Sequence, residues 1–153
     1  MRYWLMKSEP ETFSIDDLKR LGESPWDGVR NYQARNFMMN DMQIGDQVLF
    51  YHSSCEPPGV AGLAQISAPA EPDKSALDKK SAYYDPKAAP DRPIWYCVKV
   101  SFEEKFDELV PLEKIRSTKS LAKMLLLKRG QRLSIQPVTK AEFHTICKMA
   151  RRT

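Results

Sequence analysis

Short apolar runs separated by helical segments of unequal length constrain the fold of this chain most strongly. Glycine, proline or a helical pattern ends each run, which is typical of strands in a small sheet. The chain has no regular βαβ period and no GxGxxG motif, so a doubly wound nucleotide-binding fold is disfavoured. We therefore predict an α+β fold, a small bent mixed β-barrel of five to six strands flanked by helices. The runs are 2–6, 48–51, 60–67, 94–102 and 133–138.

Two of the predicted helices carry complete boundary signals. Ser14 precedes a segment with acidic residues in its first turn and basic residues in its last, and Gly22 follows. This order predicts a helix that begins after Ser14 and ends at Gly22. Thr139 and Glu142 have the spacing of a capping box, which predicts that the last helix begins there.

Weaker patterns predict the remaining segments. We expect helical turns at 31–39 and 112–115 and a helix at 120–128. Gly62 lies inside a predicted strand, where glycine indicates a bulge or a close backbone approach. The proline-rich segment 69–93 is predicted to be a long ordered loop, and such loops are often functional.

The length and hydropathy of the chain limit its class. A chain of 153 residues suits one domain, so we expect residues 1–153 to form a single domain. No run approaches the 18 apolar residues of a membrane helix, and the first residues lack the apolar core of a signal peptide. We expect a cytoplasmic monomer with no membrane partner, or a nuclear protein if the cell is eukaryotic.

The three cysteines, Cys55, Cys97 and Cys147, are odd in number and 42 and 50 residues apart. No CxxC or HxxxH pair provides half of a metal site. We therefore expect buried thiols, no metal site and no cofactor.

Charge is distributed unevenly along the chain. Residues 1–110 hold 13 Lys and Arg against 18 Asp and Glu, whereas residues 111–153 hold 11 against 2. A basic segment of this kind attracts phosphate groups, although a solvated basic face without a partner has the same composition. Our candidates for phosphate contact in this segment are Lys123, Lys128, Arg129 and Arg132.

The segment WDGVRNYQARN, residues 26–36, concentrates side chains that suit base recognition. Trp26 can stack on a base, Asn31 can contact a base edge, and arginines such as Arg30 and Arg35 can pair with guanine or phosphate. Gly28 allows the backbone to approach a ligand. Residue types alone leave a second interpretation open, in which this is a polar loop and Trp26 covers the core.

The segment WLMKSEP ends the first predicted strand with Lys7, Ser8 and Glu9. These residues place a cation, a hydroxyl and a carboxylate at the rim of the predicted barrel. Lys7 could bind a phosphate and Glu9 could accept from a base amino group. The alternative is an ion pair between Lys7 and Glu9 on the surface, which stabilises a fold very little.

Together these segments resemble the EVE domain family of the PUA-like superfamily. The resemblance rests on KSEP, WDGVRNYQARN, GDQVLFYHS, VAGLAQI and RLSIQPV, and it covers residues 2 to about 149. It implies a bent PUA-like β-barrel that binds DNA or RNA carrying a modified base. It also implies that Trp26 is one wall of a base-binding cage and that Lys7, Ser8 and Glu9 lie beside it.

The same resemblance implies further site residues. Asp27 would offer backbone groups to the base, and Arg30 and Asn31 would line the mouth of the cage. We expect Tyr83 or Tyr84 to provide the second aromatic wall, although both could instead pin their loop to the core. A flipped base predicts a narrow apolar slot with few polar groups.

Three functions follow as hypotheses. We expect a nucleic-acid-binding module that recognises a modified base and is not an enzyme. One alternative is an amidohydrolase that acts on an acylated cytidine, as in some PUA-superfamily relatives, with Lys7 and Glu9 as the acting pair. The other is an RNA-binding domain in which the basic segment dominates and the base modification is not recognised.

Overall fold

The computed structural model describes residues 1–130 and 133–151. Within these residues the chain forms six strands and four α-helices. The strands are β1 (Tyr3–Ser8), β2 (Glu23–Pro25), β3 (Gln47–His52), β4 (Gly59–Pro72), β5 (Tyr96–Pro111) and β6 (Ile135–Val138). The helices are α1 (Ile15–Leu21), α2 (Tyr32–Asn36), α3 (Leu112–Arg116) and α4 (Lys140–Ala150). None of the described helices is both long and apolar enough to cross a bilayer.

The six strands form one mixed sheet in the order β2-β5-β4-β3-β1-β6. The β1–β3 pair is parallel and every other pair is antiparallel. The predicted α+β fold is therefore confirmed. Among the described strands, β2 and β6 are the edges and do not pair with each other, so hydrogen bonds do not close the sheet into a complete barrel.

Hydrophobic cores cover both faces of the sheet. Trp4 and Met6 of β1 belong to one core, which also contains residues of α1 and the loop around Trp26. Leu5, between them, belongs to the other core, together with residues of α3 and α4. Successive side chains of a strand point to opposite faces, so the run of apolar residues in β1 supplies both cores. Burial on both faces explains why polar and apolar residues do not alternate in this strand.

Strands β4 and β5 are longer than the sequence predicted. Their pairing is interrupted at several bulges, one of them between Val60 and Gly62. A side chain at Gly62 would collide with the backbone oxygen of Glu104 and with Ile15. The prediction of a bulge or close approach at Gly62 is therefore confirmed. Bulges bend a paired strand, which is how two strands of 14 and 16 residues remain within this small domain.

The capped helices agree with the prediction. The Ser14 side chain accepts from the backbone of Asp17, the Asp17 side chain accepts from the backbone of Ser14, and Gly22 ends α1. The same reciprocal pair joins Thr139 and Glu142 at the start of α4. These boundaries depend on residues three positions apart, which is why the sequence shows them.

Three local predictions are wrong. The predicted helix at 120–128 is two separate 3₁₀ turns, Lys119–Leu121 and Leu125–Leu127. Between them Met124 has an extended backbone (φ −58°, ψ 140°) and, like Leu121, is buried in the core beside α4. Tertiary packing of these side chains outweighs the helical preference of the segment. The segment 69–93 is not a loop throughout, because residues 69–72 belong to β4. Cys55, expected to be buried, is partly exposed, whereas Cys97 and Cys147 are buried as expected.

Candidate functional site

One cavity of about 430 Å³ gathers most of the predicted base-binding residues. It lies where the end of β1, the loop after β2 and the segment around Tyr83 meet. The predicted residues that line it are Lys7, Ser8, Glu9, Trp26, Asp27, Arg30 and Tyr83. Gly28, predicted to allow close approach of the backbone to a ligand, also lines it, and the lining residues that were not predicted are Thr12, Phe13, Ser24, Pro25, Val29 and Ser134. This volume falls within the range of small-molecule sites, roughly 300–1,000 Å³.

The cavity is open to solvent, and most of its lining residues are polar or charged. The expected narrow apolar slot is therefore wrong. The polar character arises because Lys7, Glu9 and Asp27, at or just after the ends of β1 and β2, belong to the lining. An open rim leaves a path for the rest of a ligand that extends beyond the cavity.

Trp26 forms the apolar floor of the cavity. Its side chain is only 7% exposed, and its ring packs edge-on against Phe50 (centroids 5.4 Å apart) and Phe13 (6.4 Å). Its backbone N–H donates to Val98, which extends the pairing of β2 with β5. Both interpretations of Trp26 are therefore compatible, because the residue belongs to the core and also lines the cavity.

The indole N–H of Trp26 is partly accessible to solvent. It donates to no group within the described part of the chain. No described side-chain nitrogen or oxygen is both fully buried and without a partner. The indole nitrogen must therefore reach solvent, and Trp26 borders solvent at the cavity.

Three charged side chains that line the cavity form no salt bridge among the described residues. They are Lys7, Glu9 and Asp27. Lys7 forms no salt bridge in the described structure, and burial lowers the pKa of its ammonium group. The surface pair of Lys7 with Glu9, weighed above, is therefore absent. Asp27 is exposed, and desolvation together with the neighbouring carboxylate of Asp73 raises its pKa. A ligand that offers both donors and acceptors would satisfy these groups.

Asp73, which follows β4, organises one side of the cavity. Its side chain is 2% exposed and accepts hydrogen bonds from the Gly28 backbone (2.9 Å), the Arg30 guanidinium (3.0 Å) and two groups of Ser75. Burial alone would raise the pKa of Asp73, but hydrogen bonds from Ser75, Gly28 and Arg30 together lower it. Nothing in the sequence marked Asp73, because its partners Gly28 and Arg30 lie more than 40 residues away.

Arg30 is engaged entirely by the protein. Its guanidinium forms five hydrogen bonds, with Val29, Asp73, Ser75 and twice with the backbone oxygen of Tyr83. A guanidinium has five N–H groups, so none remains for a ligand. Arg30 therefore lines the cavity but acts as a clamp that fixes the Tyr83 segment against Asp73.

The clamp sets the position of Tyr83, one of the two expected second walls. Its ring packs directly on Gly28, which has a positive φ of 81°. Among the described aromatic contacts none joins Tyr83 to Trp26, although both rings line the cavity. Tyr84 is not among the lining residues.

The other predicted residues lie outside the cavity. The side chain of Asn31 caps α2 by accepting from Ala34. Arg35 contacts Asn36 and the backbone oxygen of Ile94. Lys123, Lys128 and Arg129 are exposed, and the structure forms no salt bridge with them in its described part. Arg132 lies outside the described residues. No group of three or more metal-binding side chains occurs within 1–130 and 133–151.

A bent mixed sheet with a tryptophan-floored cavity at the end of its first strand agrees with the PUA-like class that the sequence resembles. The EVE domain family model matches residues 2–149. Human thymocyte nuclear protein 1 is 43% identical over 159 residues, which cover 92% of this chain and 70% of that protein. The chain therefore belongs to the EVE domain family.

Solved structures agree with this assignment. A hypothetical protein from Leishmania major is 49% identical, with a TM-score of 0.94 over 98% of this chain and 94% of the other. The human THYN1 protein, in complex with DNA containing 5-methylcytosine, is 40% identical with a TM-score of 0.92. That comparison covers all of this chain and 99% of the human chain.

Proposed function

We propose that this protein binds DNA and holds one modified cytosine, such as 5-methylcytosine, in the cavity between Trp26 and Tyr83. The human relative in complex with DNA containing 5-methylcytosine supports both the partner and the type of base. The resemblance of residues 26–36 and of the KSEP segment to the family pattern supports the location. The base would leave its stack to enter the cavity, at a cost of a few kcal/mol that contacts in the cavity must offset.

One observation carries this proposal: charged side chains that form no salt bridge among the described residues converge on a cavity that two aromatic rings line. Trp26 and Tyr83 can contact the faces of a base, and stacking of this kind contributes about 1–3 kcal/mol per base. The indole N–H and the Lys7 ammonium are donors, and the Glu9 and Asp27 carboxylates are acceptors. Most other polar groups around the cavity are already bonded to the protein, as Arg30 and Asp73 show.

Cytosine complements this set of groups. Its exocyclic amino group can donate a hydrogen bond to the carboxylate of Asp27 or Glu9. Its carbonyl oxygen can accept a hydrogen bond from the Trp26 indole N–H or from the Lys7 ammonium group. Thymine has an acceptor in place of the amino group and would face a carboxylate. The arrangement therefore favours cytosine over thymine.

Asp27→Asn is expected to weaken binding of a 5-methylcytosine oligonucleotide about tenfold to a hundredfold. This range corresponds to the roughly 1–3 kcal/mol by which a base-edge contact discriminates. The substitution removes a negative charge, so electrostatics alone would strengthen DNA binding. Fluorescence anisotropy titrations with matched oligonucleotides that contain cytosine, 5-methylcytosine or thymine measure the effect.

Asp107→Asn, on the distant part of β5, is the matched control because it makes the same change of charge away from the cavity. Equal affinities of the wild type for all three oligonucleotides, unchanged in Asp27→Asn, would contradict the proposal.

Asp27→Asn should also raise the thermal midpoint at pH 7. A carboxyl whose pKa is raised by folding destabilises the fold above that pKa, and this effect disappears below the unfolded value of about 3.8.

Gly28→Ala is expected to weaken binding by displacing Tyr83. A Cβ at this position would lie 2.8 Å from two atoms of the Tyr83 ring, and the positive φ of 81° adds strain of about 1–2 kcal/mol. Gly22→Ala is the control, since Gly22 has the same φ and no atom within 4 Å of the added Cβ. Both variants should lose stability in urea, because each places alanine at a positive φ, and only Gly28→Ala should lose affinity. Equal affinities of the two variants would exclude Tyr83 as a wall.

Lys7 supports a second candidate function, hydrolysis of an acylated cytidine. The lysine is half-buried, has no carboxylate partner among the described residues and has a lowered pKa, which are properties of lysine nucleophiles; its ammonium group lies 5.9 Å from the Tyr51 ring. Incubation with N4-acetylcytidine followed by mass spectrometry distinguishes the two functions. Release of acetate that Lys7→Ala abolishes would establish the hydrolase, and recovery of the intact nucleoside supports binding alone.

A further inference from the structure

A second aromatic surface lies beside the cavity and is not part of its lining. Tyr32, the first residue of α2, is 59% exposed. Its ring stacks on Trp95, with centroids 4.9 Å apart and planes 20° apart. Trp95 is fixed, since it is 5% exposed and its indole N–H donates to Asp85 over 2.7 Å. We call the surface formed by Tyr32, Arg35 and Trp95 the Tyr32 platform.

The described aromatic and cationic contacts of Tyr32 lie on one face of its ring. The guanidinium carbon of Arg35 lies 4.8 Å from the Tyr32 centroid and 5.8 Å from the Trp95 centroid. Together with the 4.9 Å between the two rings, these distances place Arg35 and Trp95 on the same side of Tyr32. Among the described residues no aromatic or cationic group stacks on the opposite face, and Tyr32 is 59% exposed, so we assign the opposite face as the one that a planar ligand can reach.

Arg35 retains donors for an anion. Three of its N–H groups donate, two to Asn36 and one to the backbone oxygen of Ile94. Two of the five N–H groups of a guanidinium are then left over. Arg35 forms no salt bridge with a carboxylate in the part of the chain that the structure describes. It differs in this respect from Arg30, whose five N–H groups are all bonded.

The backbone that positions Arg35 is strained. Ile94 has a φ of +64°, which is a rare conformation for a β-branched residue. Its carbonyl oxygen accepts from Arg35 over 2.9 Å. Strain of about 1–3 kcal/mol persists only where surrounding contacts impose it, and it is concentrated at binding sites.

The platform is continuous with the cavity. The Arg30 guanidinium lies 5.2 Å from the Trp95 ring and 5.8 Å from the Tyr83 ring. Aromatic and cationic groups therefore alternate in contact from Tyr83, at the wall of the cavity, to Tyr32. A ligand that leaves the open rim beside Tyr83 meets this surface next.

We propose that the Tyr32 platform binds the nucleotide that flanks the base in the cavity, with its base on the free face of Tyr32 and its phosphate on Arg35. The proposal rests on the function proposed above. A base suits an open aromatic face, and a phosphate suits an unpaired guanidinium with two free N–H groups. Stacking of this kind accepts any base, so the platform adds affinity and not sequence preference.

Two probes separate this proposal from the function of the cavity. Free 5-methyl-2′-deoxycytidine can occupy the cavity alone, whereas a single-stranded oligonucleotide with one central 5-methylcytosine can reach both sites. Tyr32→Leu is expected to lower affinity for the oligonucleotide about fivefold to a hundredfold and to leave affinity for the nucleoside unchanged. Tyr32→Phe should bind both probes like the wild type. Ile44→Ala, which truncates another exposed apolar side chain, is the control.

A change at Arg35 adds an independent readout. Arg35→Gln should reduce the slope of log affinity against log salt concentration by about 0.7, the value for one phosphate contact on a single strand. Unchanged oligonucleotide affinity in Tyr32→Leu, with nucleoside binding intact, would overturn the platform and leave the cavity function standing. Failure of the wild type to bind either probe would overturn both.

Discussion

Asp73→Ala is expected to lower the free energy of unfolding by about 3–5 kcal/mol, the cost of leaving a buried charge without its partner. The substitution removes four hydrogen bonds, one of which is also the ion pair with Arg30, whose side chain is 24% exposed. It therefore also releases the clamp that positions Tyr83. Urea unfolding followed by circular dichroism measures the change.

Asp91→Ala provides the control, since Asp91 is exposed and a substitution there should change stability by no more than about 0.5 kcal/mol. Hydrogen bonding lowers the pKa of Asp73 in the folded state. The ionised carboxylate therefore contributes its full amount to the free energy of unfolding above the unfolded pKa of about 3.8. The difference in free energy of unfolding between the wild type and Asp73→Ala should decrease as the pH falls below that value. Equal stabilities of the two alanine variants at pH 7 would show that Asp73 does not organise the site.

Trp26→Ala is expected to destabilise the fold by a similar amount, about 3–5 kcal/mol, because it removes a large side chain from a packed core. The ring is 93% buried, and its contacts with Phe50 and Phe13 hold the loop after β2 against the sheet. In a domain of this size such a loss lowers the thermal midpoint by roughly 10 °C. Differential scanning calorimetry measures that shift.

Trp26→Phe separates packing from ligand contact, because it keeps a ring in the core and removes the indole N–H. It should recover most of the lost stability. A cost below about 1 kcal/mol for Trp26→Ala would show that the residue is not part of the core. Loss of binding in Trp26→Ala therefore cannot alone establish a contact with the base, which is why Asp27 is the better test.

Local patterns in the sequence predict those elements whose boundaries depend on neighbours in the chain. The helix starts at Ser14 and Thr139 each need one partner three residues away, and both were predicted correctly. The segment 120–128 has the pattern of a helix, yet burial of Leu121 and Met124 divides it into two turns. Long-range packing determined that outcome, and no local pattern contains it.

The same distinction holds at the candidate site. Lys7 and Trp26 were predicted to lie together because the family resemblance relates their segments, and both line the cavity. The roles of Arg30 and Asp73 were missed, since 43 residues separate the clamp from its anchor. Tyr32 lies within the predicted motif, but its stacking partner Trp95 belongs to another segment. The chemistry of the residues was visible in the sequence, whereas their pairing was not.

Burial of β1 on both faces has a consequence for strand slippage. Where one face of a strand is exposed to solvent, a shift by one residue moves apolar side chains into water, which is unfavourable. Here the buried run Trp4–Met6 is apolar on both faces, so a shift by one residue is opposed mainly because it moves Tyr3 or the charged Lys7 toward a buried position. Asp46, which is 2% exposed, adds to this opposition, because its carboxylate accepts from the Arg2 backbone and from the Trp4 indole N–H. A shifted strand would forfeit both bonds and leave a buried charge with too few donors, so this polar residue reinforces the alignment that the short apolar run sets.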